Sequence, residues 1–126
     1  MRGLLEQQAN EIIARLPTRR DLVIDVRRLL AKRIVGGDTR IDSVARELTT
    51  TARTLQRRLE QAGVSYQDLL EETLRETAEQ YLLDRSLPIS EVAFLLGYSE
   101  PSAFHRAFKR WNNVTPLNFR QRRDRA

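Results

Sequence analysis

The chain has 126 residues, 40% of them hydrophobic and 31% charged, with no cysteine and a net charge of +5 from 22 basic and 17 acidic side chains. That length suits one domain with an attached arm. No run approaches the roughly 20 apolar residues of a membrane-spanning helix, and the opening Met1-Arg2-Gly3-Leu4-Leu5-Glu6-Gln7-Gln8 is too polar for a secretory signal. Without cysteine there is neither a disulfide nor a thiolate metal site, a composition that fits a reducing cytoplasm, the expected location.

Apolar residues recur at helical spacing along almost the whole chain and nowhere alternate as in a strand. An all-α fold is therefore expected, with about seven helices plus an N-terminal extension helix. The extension carries Leu4, Leu5, Ala9, Ile12, Ile13 and Leu16 and stops at Pro17. Thr18 is placed to cap a helix bearing Leu22, Val26, Leu29, Leu30 and Ile34, which Gly36-Gly37 ends. A helix-turn-helix is expected from about 41 to 63, with Gly63 as its stop. Ser65-Tyr66-Gln67-Asp68 is close to a capping box and opens a long helix carrying Leu69, Leu70, Leu74, Ala78, Tyr81 and Leu82 as far as about Asp84. Such a rod of roughly 19 residues would be about 28 Å long. Pro88 breaks the chain before a second helix-turn-helix at about 89 to 111. Thr115-Pro116 then starts a last short helix with Leu117 and Phe119, ending in an arginine-rich tail.

The two helix-turn-helix segments repeat one another. Ile41-Asp42-Ser43-Val44-Ala45-Arg46-Glu47-Leu48 runs through three threonines into Thr54-Leu55-Gln56-Arg57-Arg58-Leu59. Ile89-Ser90-Glu91-Val92-Ala93-Phe94-Leu95-Leu96 runs through Gly97-Tyr98-Ser99 into Phe104-His105-Arg106-Ala107-Phe108. Val44 and Val92 correspond at an offset of 48, whereas Leu55 and Phe104, Arg57 and Arg106, and Leu59 and Phe108 correspond at 49, so the second turn holds one extra residue. In each copy an apolar stripe on the second helix faces arginine on the other side, the pattern of a helix that enters the DNA major groove.

In the first copy Leu55, Leu59 and Ala62 share the inward face, while Arg53, Gln56, Arg57 and Glu60 share the other by i+3 and i+4 steps. Arginine reads guanine through O6 and N7 and glutamine reads adenine through N6 and N7, which makes Arg53, Gln56 and Arg57 suitable base readers. Arg58 flanks the core side and suits a phosphate. In the second copy Phe104, Ala107, Phe108 and Trp111 form the buried stripe. Ser102, His105 and Arg106 are placed for base edges, and Lys109 and Arg110 for phosphate. Thr51 and Ser99, in the two turns, complete the expected phosphate contacts. His105 is the only histidine, so neither a metal cluster nor a catalytic base with a partner can be assembled around it. No catalytic residue, metal or cofactor is expected.

Charge is segregated in the same sense. From His105 onward there are seven basic residues against Asp124, and between Ser65 and Asp84 there are six acids against Arg75. One face on phosphate and another in solvent would produce that pattern. Successive major grooves on one face of B-DNA lie about 34 Å apart, and the long helix plus the flanking units matches that span.

The residues from about Leu22 to Arg120 resemble the DNA-binding region of the AraC/XylS family of bacterial transcription regulators. The likeness is densest from Ala93 to Trp111 with Thr115-Pro116, and in Thr54 to Leu59 with Gly63-Val64-Ser65-Tyr66-Gln67. The resemblance implies two subdomains joined by a long helix that bind asymmetric promoter DNA through adjacent major grooves. By motif position it assigns base reading to Arg53, Gln56, Arg57, Ser102, His105 and Arg106. Thr49 stands where the family often has glycine, and Thr50 where a larger apolar residue is common. A β-branched residue is a poor occupant of a left-handed turn, so a different turn or a looser first subdomain is expected there. Asn113 replaces a frequent glycine and tolerates that conformation. The family usually adds an effector-binding or dimerisation domain on the N-terminal side. Residues 1–17 are accordingly expected to be the remnant of an interdomain linker, and 18–126 the DNA-binding domain of a longer regulator.

Three functions compete at this point. The first is a sequence-specific regulator on double-stranded promoter DNA, monomeric as an isolated domain and with RNA polymerase as a partner. The second places one unit on DNA and the other on RNA polymerase or another protein. The third is a helical protein-interaction module without nucleic acid. An enzyme fits least, because no nucleophile–base pair or glycine-rich phosphate loop is present.

Overall fold

The four-residue spacing of Leu22, Val26 and Leu30 becomes one buried stripe along the first helix of the computed structural model, which describes residues 19–125. Seven helices follow one another in that range: α1 (Arg19–Arg33), α2 (Ile41–Glu47), α3 (Ala52–Gln61), α4 (Tyr66–Leu82), α5 (Ile89–Leu95), α6 (Pro101–Asn112) and α7 (Pro116–Arg125). No strand occurs among the described residues, so the all-α expectation holds. The extension expected over residues 1–17 and the cap expected at Thr18 lie outside them.

Two hydrophobic clusters hold these helices. The first gathers Leu22, Val26 and Leu30 of α1, Val44 and Ala45 of α2, Leu55 and Leu59 of α3, and Tyr66 and Leu69 of α4. The second gathers Ala78 and Leu82 of α4, Val92 and Ala93 of α5, Leu96, and Phe104 and Phe108 of α6, together with Ile34. Each helix-turn-helix thus has a core of its own, and α4 lends one end to each. Leu70, half-buried, packs against both clusters.

The helix ends follow from the sequence. Ser65 caps α4, its hydroxyl accepting from the Asp68 amide at 3.0 Å, and Thr115 caps α7 by accepting from the Asn118 amide at 3.1 Å. Pro116, at the first helical position, loses no bond there because that amide has no intrahelical partner. The long helix is slightly shorter than its apolar pattern suggests. It ends at Leu82 after 17 residues, about 26 Å at the α-helical rise, because the chain turns over Leu83 and Asp84. No basic residue lies in its last turn. Arg120 of α7 supplies the missing cation from a distance, with Nε donating to the Leu82 carbonyl at 2.7 Å and a terminal nitrogen to that of Asp84 at 3.2 Å. On α7 itself Phe119 packs into the second cluster and Pro116 is buried, whereas Leu117 is exposed.

Candidate nucleic-acid interface

The two turns share one backbone pattern. In the first, the amides of Leu48, Thr49 and Thr50 donate to the carbonyls of Val44, Arg46 and Ala45. In the second, the amides of Leu96, Gly97 and Tyr98 donate to Val92, Phe94 and Ala93, the same set displaced by 48. Thr49 has φ +56° and Gly97 φ +92°, so the threonine occupies the left-handed position that glycine fills in the second copy. The expectation of a different turn is not met: the three amide bonds shared with the second copy run through a threonine held in the conformation that a β-branched residue disfavours. Asn113 is the other left-handed non-glycine residue, at φ +61°. The extra residue of the second copy lies after this shared part, as the shift in offset from 48 to 49 requires.

That extra residue changes how the recognition helices begin. Thr51 caps α3, its Oγ1 accepting from the Thr54 amide at 3.1 Å while its hydroxyl proton goes to Thr54 Oγ1. In the second unit the cap position is Glu100, with Pro101 opening α6 and no side-chain cap bond. Ser99 sits one residue earlier and is exposed. Thr51 and Ser99 are therefore not equivalent, and a phosphate contact from Thr51 requires its hydroxyl to turn away from Thr54.

The faces of α3 fall where the spacing places them. Leu55 and Leu59 are wholly buried, Ala62 is half-buried just past the helix end, and Arg53, Gln56, Arg57, Arg58 and Glu60 are exposed. On α6, Phe104, Ala107 and Phe108 are buried and Trp111 is half-buried. Phe108 is the hub of an aromatic stack, with ring centroids 5.8 Å from Phe104, 6.4 Å from Trp111 and 5.4 Å from Phe119. Tyr98 joins through Phe104 at 5.6 Å, and burial raises its phenol above the usual range. Ser102, Arg106, Lys109 and Arg110 are exposed. His105 is half-buried, its ring edge-on to Phe104 at 6.3 Å, so it is less free to reach outward than its neighbours.

Pairing separates the cations of the two recognition helices from most of the others. Arg27 pairs with Glu72 at 2.9 Å, Arg28 with Asp25 at 3.6 Å, Arg40 with Asp38 at 2.9 Å and Arg75 with Glu79 at 3.0 Å. Arg33 pairs with Glu47, and Arg120 is spent on the end of α4. By contrast, Arg53, Arg57 and Arg58 of α3 and Arg106, Lys109 and Arg110 of α6 have no acidic partner among the described residues. An exposed arginine without an internal partner keeps all five donors for an outside acceptor. Arg46, on the last turn of α2, is equally exposed and unpaired, and it borders a hollow with Thr50, Thr51 and Ala52 at the start of α3. The repeat hides it, because its counterpart in the second copy is Phe94. Phe94 is 75% exposed, the most open of the large apolar side chains among the described residues. No group of three or more His, Cys, Asp or Glu side chains able to hold a metal ion occurs among the described residues, and none of their helices is long and apolar enough to cross a membrane.

A family described as a helix-turn-helix domain matches residues 44–122 of this chain. The ornithine utilization regulator of Pseudomonas aeruginosa is 38% identical over 118 residues, which cover 94% of this chain and 34% of that protein. The chain thus spans about a third of the length of that relative. Among solved structures, the C-terminal domain of AraT, a response regulator from Geobacillus stearothermophilus, is 31% identical with a TM-score of 0.68, covering 79% of this chain and 84% of that one. A DNA-binding transcriptional dual regulator from Escherichia coli K-12 shares the fold at a TM-score of 0.78 and 24% identity, over 89% of this chain and 97% of that one. The chain belongs to the AraC-type helix-turn-helix family of transcription regulators.

Proposed function

We propose that this member of the family is the DNA-reading part of a transcription regulator, laying α3 and α6 into adjacent major grooves of one promoter site. The observation that carries the reading is the repetition of one turn geometry, each copy presenting a helix with a wholly buried stripe on one side and unpaired arginines on the other. In this reading Arg53, Gln56 and Arg57 reach base edges from α3, and Ser102, His105 and Arg106 from α6. Arg58, Lys109, Arg110, Ser99 and Thr51 hold phosphates, and Arg46 joins them beside α3. The paired arginines of α1 and α4 take no part, since each would first have to give up an acidic partner. Residues 1–17 act as the link to whatever precedes this domain in a longer regulator.

Footprinting on a duplex recovered by in-vitro selection tests the reading. Protection over about two helical turns by one chain is expected, with log K falling against log salt at a slope of about −5 to −7 for six to eight neutralised phosphates. Protection confined to one half-turn, or a slope shallower than about −2, contradicts it. RNA polymerase is the protein partner of this reading, and Phe94 is the surface feature that favours such a contact: a large exposed apolar side chain, on the rim of the hollow it shares with Ile34, Gly36 and Gly37, is the kind of anchor a protein interface uses.

A further inference from the structure

The long helix α4 is not the only connection between the two units. Three turns of α1 pack into the first cluster through Leu22, Val26 and Leu30, but Ile34, one residue past its end, is 5% exposed within the second. The chain then turns back to α2 through a tightly fastened corner. The Gly37 amide donates to the Arg33 carbonyl at 3.0 Å, and a Cβ at Gly37 would collide with that same oxygen. Arg33 donates to the Asp38 carbonyl at 2.9 Å and pairs with Glu47 of α2. Asp38 accepts from the Arg40 side chain and from the Ser43 hydroxyl of α2. The Tyr66 hydroxyl, on the first turn of α4, donates to the Thr39 carbonyl at 2.6 Å. Residues 33–40 are therefore tied to α2 and α4 on one side; on the other, Ile34 packs into the second cluster, and Gly36, Gly37 and Thr39 border a hollow with Leu74, Phe94 and Leu96.

We propose that this corner is a second strut between the units, and that Ile34 is the positioning residue that fixes the angle and separation of the two recognition helices and so selects the spacing of the DNA half-sites. A single helix holds each unit through the side chains it buries there, leaving small changes of tilt and twist between the units as the remaining freedom. A second attachment away from the helix axis removes that freedom, and full-site affinity depends on both readers arriving in register.

The inference rests on the two-groove reading above, and two measurements keep them distinguishable. The first uses a duplex selected with the native chain, versions with either half scrambled, and versions with one or two base pairs inserted between the halves. Ile34→Ala and Tyr66→Phe are expected to bind the half-scrambled duplexes like the native chain. Their full-site advantage should fall about tenfold, and they should tolerate the insertions the native chain rejects. Ile34→Leu should restore both properties. The second needs no DNA: the cysteine-free chain is spin-labelled at Gln61→Cys and Asn118→Cys, and a narrow distance distribution should broaden in Ile34→Ala with helicity retained. Unchanged spacing preference in both variants and an unchanged label distance in Ile34→Ala, with only a lower melting temperature, overturn the strut. A native chain that binds full and half-scrambled duplexes equally overturns the two-groove reading, while the label distance still judges the strut.

Discussion

Thr49 holds φ +56° in a position where its counterpart is Gly97, and its own hydroxyl turns back to the Leu48 carbonyl at 2.6 Å. A left-handed conformation costs a β-branched residue on the order of 1–2 kcal/mol, whereas glycine adopts it freely at a smaller entropic cost in the unfolded chain. Thr49→Gly is therefore expected to stabilise the protein by about 0.5–1 kcal/mol in urea denaturation; destabilisation would mean that the threonine makes a compensating contact. The proposed base-reading and phosphate-holding roles are also separable at this scale. Arg57→Ala and Arg106→Ala should each cost roughly 1–3 kcal/mol on the cognate site and relax preference at one or two base pairs. Lys109→Ala should weaken cognate and random duplexes alike, since a phosphate contact carries no base information. Selection of preferred sites with each variant checks the assignment, and an unchanged preferred sequence in both arginine variants refutes it.

The corner between α1 and α2 shows what a cluster of short polar contacts does for an element boundary. Bonds from the Arg40 side chain, the Ser43 hydroxyl and the Arg40 amide hold the Asp38 carboxyl well below the usual carboxylate range. A group depressed in the folded state contributes stability that is fully present above its unfolded value of about 3.9 and is lost as pH falls through the folded value. Asp38→Asn should accordingly lower the melting temperature at pH 7, and the gap from the native protein should narrow as pH is taken below about 4 toward 2. A gap that stays constant across that range would leave the carboxylate's charge without a role. Tyr66 belongs to the same corner. Burial pushes its phenol up to about 12, so it remains a donor to the Thr39 carbonyl throughout that titration.

Across the whole molecule, the two cores predict independent consequences for the two units. Phe94 belongs to neither core and to neither recognition helix, and its exposed ring only borders the hollow beside the corner, so Phe94→Ala, which leaves Ile34 in its cluster, should leave site affinity in gel shifts unchanged while lowering the output of a regulated promoter in the full-length regulator. Equal output from native and variant would remove the protein-contact reading. Much of this architecture was legible beforehand. The stripes Leu55–Leu59 and Phe104–Phe108, the cap at Ser65, the stop at Gly63 and the one-residue insertion are local matters of period and backbone chemistry, and a linear sequence carries them. The assignment of Arg120 was not legible: in sequence it joins a basic tail, in space it closes the end of α4 thirty-eight residues away. Arg46 is hidden because the repeat pairs it with Phe94, and Thr49 because its own preference says nothing of the amide bonds that close the whole turn. By itself the sequence determined the helices, their buried faces and the pair of reading units, since helical period and capping act within a few residues. Only the tertiary structure decided which arginines are left unpaired and that Ile34 leaves its own cluster for the other, because those outcomes depend on side chains brought together from distant parts of the chain.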